Sequence, residues 1–427
     1  MSNKTIQAVR GMRGVIPGIA AQHSEIEGKA LRVIRSYAYE EMHLPVLEYT
    51  ELFARGVGES TDIVEKEMYS LEDRDGVSLS MRPEGTAGCL RTLQENGLLY
   101  NQTQKVFYTG PMFRYEKPQK GRYRQFNQIG VETYGFKGPV IDLELLLMTR
   151  DIWAALNISE EVVLEINNLG SMESRLAYRS ALVKYLEPLR SKLDEDSQRR
   201  FTTNPLRILD SKNKETQRLL LDAPKLEDYS DDDSRQRFQN LCSLLDEQGQ
   251  DYVVNPFLVR GLDYYTDCVF EWKAEGIGAQ NTICAGGRYD GLVEKLGGRE
   301  TPAIGFAIGL ERLVLLVEAS QGGLLEIPST DVYVCMSSES LINNAMGLAQ
   351  KVRQKMSKLK VRVHMGGGNL KKQFKKADMS GAKWALLVGD EELEQNLVTI
   401  KDLRDSVTGQ MTVPLEEAMQ KIIANNG

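Results

Sequence analysis

"KVFYTGPMFRYEKPQKGRYRQFNQIGVETYG", residues 105–135, decides how the chain is read. Its two ends are strand-like runs bounded by turn residues. Between them "YEKPQKG" turns the chain and "RYRQF" begins the return, so the pattern predicts a hairpin-like arm. Residues 114–124 carry five cations (Arg114, Lys117, Lys120, Arg122 and Arg124) and one glutamate, Glu116. The chain as a whole is acidic, with a formal net charge of -7. Guanidinium groups next to Phe126 suit a nucleotide. They offer forked donors for phosphate, each charged hydrogen bond contributing about 1.5–3 kcal/mol, and the ring offers a flat apolar face for a base. A solvated basic hairpin is the bland alternative, and the arm alone does not decide between them.

The surrounding composition narrows the class. With 427 residues, 41% hydrophobic and 26% charged, the chain has the balance of an ordinary globular protein and the length of roughly three domains. No apolar run reaches membrane-spanning length, and "MSNKTIQAVRG" lacks the apolar stretch of a signal peptide, so the cytoplasm is the expected location. Five scattered cysteines form no CxxC pair, which points to neither a disulfide framework nor a zinc site. Three histidines (His23, His43 and His364) leave little for a serine-type triad or a multi-histidine metal centre. No protein metal site, membrane contact or DNA partner is expected. A local basic patch can still meet RNA phosphates on an acidic protein.

Working outward, residues 22–42 show helical spacing at Ile26, Ala30, Val33, Ile34, Tyr37 and Ala38, and Pro45 opens an extended segment. "VSLSM" and "EVVLEINNLG" read as strands, and "LELLLMTRDIWAAL" reads as a helix. From about 170 to 245 glycine almost vanishes. "SALVKYLEPLRSKL" and "DDSRQRFQNLCSLLDEQ" are amphipathic there, which predicts a helical insertion. "EDYSDDDS" reads as a solvated loop or helix start, without the spacing of a calcium loop. Strand texture resumes with "VVNPFLVRGLDYYTDCVFEW" and "NTICAGG". Past a linker at "EASQGGLLEIPST", strand runs alternate with helical patterns, as in a small α/β domain.

Further peptides bear on the arm. "SMRPEGTAG" places Glu84 and Thr86 at a helix start, and "LVRGLDYYT" places Arg260 and two tyrosines after an apolar strand. "AGGRYDGL" packs glycines around Arg288 and Tyr289. "GFAIGLERL" is a glycine-bearing strand that enters a helix carrying Arg312. "FRYE" with its arginine-rich turn resembles motif 2 of the class II aminoacyl-tRNA synthetases, and "GLER" resembles their motif 3. "RGLDYYT" and "AGGRYDGL" resemble the two signature peptides of the histidyl-tRNA synthetase family. Residues 22–55 resemble motif 1, and "GGNLKKQFKKADMSGAKWALLVGDEE" resembles the class II anticodon-binding domain. The likeness runs from about residue 5 to 425. One departure is Gly14, where the family usually has an acidic residue.

The resemblance implies an α+β fold: a class II antiparallel-sheet catalytic domain with a helical insertion and a C-terminal α/β anticodon-binding domain. The implied boundaries are 1–168 with 246–325 (catalytic), 169–245 (insertion) and 330–427 (anticodon-binding). It implies activation of L-histidine by ATP with Mg2+, transfer to tRNA(His), and a homodimer built on motif 1. Arg114 and Arg260 would serve the carboxylate and α-phosphate, and Arg312 with Arg122 the γ-phosphate. Phe126 and Glu116 would serve adenine. Glu84, Thr86 and Gln128 would receive the α-ammonium, and Glu132, Tyr265 and Tyr289 the imidazole. Gln119, Lys120 and Arg124 would meet the tRNA acceptor end, and Lys371, Lys372, Lys375 and Lys376, beside an aromatic, would contact RNA. Tyr264 is expected on the opposite strand face from Tyr265, in the core. The non-catalytic alternative is the synthetase-like regulatory subunit of ATP phosphoribosyltransferase, which usually lacks the anticodon-binding domain and loses catalytic arginines.

Overall fold

The computed structural model describes residues 5–59, 61–276, 281–323, 327–405 and 409–424. The chain divides into two compact units, Met1–Leu324 and Leu325–Gly427.

In the first unit, Pro17 opens α1 (Pro17–Ser36), where its missing N–H costs nothing. Gln22, Ile26, Ala30 and Ile34 form the buried row of this helix. It stops short of residue 42 because Ala38 takes φ 62° and reverses the chain. The strands β1 (Glu40–Glu41) and β2 (Leu47–Tyr49) follow, then α2 (Thr50–Val57) and a π-helical turn at Ile63–Glu67. Next come β3 (Tyr69–Glu72), β4 (Ser78–Met81) and α3 (Thr86–Glu95). The arm is β5 (Gln104–Phe113) and β6 (Gln125–Tyr134), paired antiparallel from Gln104↔Tyr134 to Phe113↔Gln125. α4 (Pro139–Ala155) leads into β7 (Val162–Asn168).

The glycine-poor stretch is helical. It holds α5 (Met172–Leu186), α6 (Glu195–Thr203), α7 (Lys214–Leu220) and α8 (Asp232–Glu247). Ser171, Asp194, Asn213 and Asp231 cap these helices through side-chain oxygens that accept backbone N–H groups. The acidic run at 227–234 is thus the approach to α8, with Asp231 as its cap. β8 (Val253–Val254), β9 (Thr266–Ala274), β10 (Thr282–Arg288), α9 (Gly291–Lys295), β11 (Ala303–Gly309) and α10 (Leu310–Ser320) complete the unit.

The eight-stranded sheet has the order β1-β5-β6-β11-β10-β9-β7-β8. Its inner pairs are antiparallel, and only the short outer strands β1 and β8 run parallel to their neighbours. A second sheet, β2-β4-β3, is antiparallel. One expectation is corrected. "VVNPFLVRGLDYYTDCVFEW" is not continuous strand, because the chain is irregular from 255 to 265. Pro256 has no N–H for a ladder, and Asn255 turns its side chain onto Glu165 (2.6 Å) and the Phe257 amide (2.9 Å).

The second unit comprises β12 (Val332–Met336), α11 (Ile342–Lys355), β13 (Val361–Val363), α12 (Leu370–Met379), β14 (Trp384–Val388), α13 (Asp390–Glu394), β15 (Leu397–Asp402), β16 (Gln410–Pro414) and α14 (Leu415–Ala424). Its sheet order is β13-β12-β14-β15-β16, parallel across the first three strands and antiparallel beyond. It has its own apolar core around Val332, Val334, Trp384, Leu386 and Ile400. Among the described residues, no helix is long and apolar enough to cross a membrane.

Candidate active site

A cavity of about 880 Å³ opens on the inner strands of the large sheet. Its floor follows from strand alternation. On one face of β6 stand Gln128, Gly130 and Glu132. Opposite them on β11 are Gly309, Ala307 and Gly305. β10 continues the rows with Ala285 and Gly287. Small residues on two adjacent strands leave a hollow, and the larger side chains of β6 project into it. A Cβ on Gly305 would overlap the Glu132 carboxylate, and one on Gly85 or Gly130 would overlap the Tyr108 ring. The glycines therefore make room for two particular side chains.

Glu132 is the hub of the hollow and is 1% exposed. Its carboxylate accepts from Thr86 Oγ1 (2.7 Å), from the Tyr108 hydroxyl (3.0 Å) and from the Tyr289 hydroxyl. Burial pushes this carboxyl up to about 7, against the pull of those three hydroxyls. Glu84, also buried, caps α3 by accepting the amides of Thr86 (2.7 Å) and Ala87 (3.0 Å). Burial raises its pKa, and the two amides oppose the rise. The buried Gln128 Oε1 has no hydrogen-bond partner among the described residues. Tyr264, Tyr265 and Tyr289 form an aromatic wall, with ring centroids 4.7 to 6.4 Å apart. Tyr264 departs from expectation: it is buried, but it lines the cavity together with Tyr265. The irregular loop has no strand alternation to send neighbouring side chains to opposite faces.

The arginines stand along the same cavity. Arg114 donates from Nε to the Pro83 carbonyl (2.8 Å) and lies over the Phe126 ring, 5.4 Å from its centroid. Arg122 pairs with Glu116 and lies 3.7 Å from Glu67 of the π-helical turn. Arg260 pairs with Glu271 of β9. Arg312 donates to the carbonyls of Gly121 (3.2 Å) and Thr282 (2.8 Å). Burial, reinforced by the nearby Arg114 and Arg122, pushes Arg312 down to about 10. Burial lowers Arg114 as well, with Arg260 adding to the effect. For Arg260 burial also acts to lower, but Glu271 and the two tyrosines outweigh it and raise the group. Like charges crowd here, and a polyanion would relieve the repulsion.

Every residue assigned from sequence to ATP or to histidine lines this one cavity. The residues assigned to tRNA do not. Gln119 and Lys120 are exposed at the tip of the arm's loop. Arg124 stacks 3.7 Å from the Tyr115 ring centroid and donates to the Glu116 carbonyl (3.1 Å). In the second unit, Lys371, Lys372, Lys375 and Lys376 are exposed on α12, while Gln373 and Ala377 are buried. Phe374 does not stand among these lysines. It packs inward against Tyr333, Cys335 and Ala377. A Cβ on Gly14 would meet nothing within 4 Å, so the departure there disturbs no packing.

Sequence reading missed several participants. Tyr108 and Glu271 are strand residues that face the cavity from the rows they share with Gly130 and Ala285, a register that no local pattern reveals. Glu311, beside Arg312, fastens α10 to β6 by accepting the Asn127 amide (2.9 and 3.0 Å) and its side-chain NH2 (3.0 Å). Glu67 sits in a turn without a motif. Asp194, Arg200, Arg207 and Asn213 of the helical stretch also line the cavity, and nothing in their local pattern announces it.

Comparison with known proteins agrees with this geometry. Residues 11–313 match a family profile described as "Histidyl-tRNA synthetase", and residues 331–425 match one described as "Anticodon binding domain". The crystal structure of apo histidyl-tRNA synthetase from S. aureus is 33% identical, covers 98% of this chain and 100% of its own, and superposes with a TM-score of 0.79. Histidyl-tRNA synthetase from Nostoc sp. PCC 7120 is 19% identical over 99% of this chain and 100% of its own (TM-score 0.72). A protein from Bacillus halodurans described as an ATP phosphoribosyltransferase regulatory subunit/histidyl-tRNA synthetase is 21% identical over 91% of this chain and 99% of its own (TM-score 0.64). The last two likenesses bear on fold alone. The profile matches and the identity to the S. aureus enzyme place this chain in the histidyl-tRNA synthetase family of class II aminoacyl-tRNA synthetases, with an anticodon-binding domain following the catalytic unit.

Proposed function

We propose that the cavity performs both steps of histidine attachment through the residues that line it. A carboxylate oxygen of histidine attacks the α-phosphorus of ATP. The bond from that phosphorus to the bridging oxygen breaks, and pyrophosphate leaves. The terminal ribose hydroxyl of tRNA(His) then attacks the acyl carbon of the adenylate and gives up its proton, the bond from that carbon to the phosphate oxygen breaks, and AMP leaves. The observation that carries this reading is the convergence of Arg114, Arg260 and Arg312, from three remote parts of the chain, on one cavity beside Glu132. An anion can approach a polyanion only where fixed positive charge offsets both. Mg2+ arrives with ATP as part of the substrate.

Arg114 and Arg260 hold the carboxylate and α-phosphate, Arg312 and Arg122 hold the γ-phosphate, and Phe126 stacks on adenine. Glu116 accepts from the adenine amino group or orders the loop. The orphaned Gln128 oxygen supports a role in receiving the α-ammonium with Glu84 and Thr86, as Glu132 does for the imidazole with Tyr265 and Tyr289. We assign residues 1–168 and 246–325 to the catalytic domain, 169–245 to the insertion and 330–427 to the anticodon-binding domain. A homodimer is consistent with Leu47, Tyr49 and Leu71, which are exposed on the β2-β4-β3 sheet. The cytoplasm is the matching compartment. A regulatory subunit without catalysis would have no use for the full set of arginines.

Histidine-dependent exchange of labelled pyrophosphate into ATP tests the reading, and a folded protein that shows none with magnesium present would defeat it. Gly305→Ala is expected to abolish measurable histidine binding in calorimetry and to lower Tm, because the added methyl overlaps the Glu132 carboxylate and the Val131 carbonyl oxygen. An unchanged Kd would contradict the pocket assignment. Replacing Lys371, Lys372, Lys375 and Lys376 by glutamine should weaken tRNA(His) binding and flatten its salt dependence by up to roughly one unit of log–log slope per lost phosphate contact. Pyrophosphate exchange should not change. A salt slope equal to that of the wild type would remove α12 from the RNA contact.

A further inference from the structure

The segment that carries Arg260, Tyr264 and Tyr265 runs irregularly from 255 to 265, without a strand ladder to hold it. Much of its support comes from the helical stretch between β7 and β8. Arg175, in the first turn of α5, donates from Nη1 to the Tyr265 carbonyl (2.6 Å) and to the Asp263 carbonyl (3.2 Å). Asn204 donates to the Asp263 carboxylate (2.8 Å). Arg207 lies so close to Gly261 that a Cβ there would stand 2.6 Å from its Nη1. The apolar packing is continuous too: Tyr178, Leu182 and Phe201 of the helices belong to the same cluster as Tyr264, Tyr265 and Tyr289.

Arg175 lies outside the main cavity and beside the loop's other face, where a small void is lined by Arg175, Asn204, Arg207, Leu262 and Asp263. A charged donor that spans two carbonyls with one residue between them fixes the backbone there. The residue between is Tyr264, and Tyr265 follows at once. We propose that Arg175 is a positioning residue for histidine selection: by holding the Asp263 and Tyr265 carbonyls it sets the aromatic wall of the imidazole pocket, so the helical insertion helps to build the amino-acid site. This rests on the assignment of Tyr265 and Tyr289 to the imidazole.

The test is steady-state pyrophosphate exchange, with active enzyme counted by titration of adenylate formed per chain. Wild-type protein is measured first, and an absence of histidine-dependent exchange there would defeat the reading of the cavity and this inference with it. Given that activity, Arg175→Gln keeps polar bulk but loses the charged Nη1 donor. Its KM for histidine should rise about tenfold while its KM for ATP stays constant. Arg175→Lys, which keeps the charge and can reach one carbonyl, should show a smaller rise. A merely structural arginine would reduce the active fraction and leave both KM values of the surviving enzyme unchanged. That result, or a parallel rise in both KM values, overturns the proposal. Should Arg175→Gln prove insoluble, Arg175→Lys carries the same comparison, with a few-fold rise in histidine KM expected and an unchanged value overturning the inference.

Discussion

Arg260→His is expected to slow histidyl-adenylate formation by about two to three orders of magnitude while raising the histidine Kd by no more than about threefold. The asymmetry follows from where the charge is needed. On the proposed assignment, ground-state histidine rests on Gln128, Thr86 and Glu132 without Arg260. The attack of its carboxylate on phosphorus cannot proceed as readily, because negative charge on two groups must share one small volume. The ligand-free pairing of Arg260 with Glu271 holds the guanidinium at the cavity wall. Its removal does not strand Glu271, which keeps the Thr282 hydroxyl at 2.9 Å and Lys273 at 3.9 Å. Loss of fold is therefore not the expected outcome. Rapid-quench measurement of adenylate formation beside equilibrium histidine binding separates the two effects. A variant whose only defect is a raised Kd would contradict the assignment.

Glu132→Ala should have a comparably large effect on a different quantity. The histidine Kd is expected to rise at least a hundredfold, with ATP affinity unchanged. Three hydroxyls point at this carboxylate, from Thr86, Tyr108 and Tyr289. A pocket of buried polar partners discriminates strongly because any ligand that leaves them unpaired pays for their desolvation. Removing the shared acceptor frees all three hydroxyls and, on the proposed assignment, takes away the partner of an imidazole N–H. Equal losses for histidine and ATP would point to general misfolding instead. The same residue has a pH signature. Its carboxyl sits at about 7 in the folded chain against an ordinary value of 4.5, mainly through burial. Between those pH values the folded state holds a proton that the unfolded state releases. The contribution of Glu132 to stability is therefore present below about pH 4.5 and is lost as pH rises toward 7. Thermal unfolding of the ligand-free protein should show the wild type losing stability relative to Glu132→Gln between pH 5 and pH 7.5. A constant difference in Tm would contradict the buried titration.

Much of this site was legible in the sequence because its parts are locally encoded. The arm announces itself through two strand-like runs and a charged turn. The "GLER" peptide reads correctly as a strand entering a helix. Glycines 305 and 130 were visible, but their purpose was not, since it depends on Glu132 and Tyr108 lying across from them in register. The same is true of Glu271 and Glu311, whose partners are 11 and 184 positions away in the chain. Local periodicity reports which face of an element is buried and says nothing of what meets it there. The segment from 255 to 265 was misread as strand because its apolar residues pack against helices rather than within a sheet. Tyr264 was rightly expected in the core but wrongly separated from Tyr265 for that reason. The part played by Arg175, Asn204 and Arg207 lay beyond a one-dimensional reading, since each acts on backbone atoms or side chains more than fifty residues distant.

The most direct measurement is a crystal structure of the protein with ATP and histidinol, an analogue that lacks the carboxylate and cannot react. The account predicts the imidazole against Glu132 and the tyrosine wall, adenine on Phe126, and Arg114 and Arg260 both within about 3 Å of α-phosphate oxygens. Density for the triphosphate away from those two guanidinium groups, or an imidazole ring outside the hollow floored by Gly305 and Gly130, would contradict it.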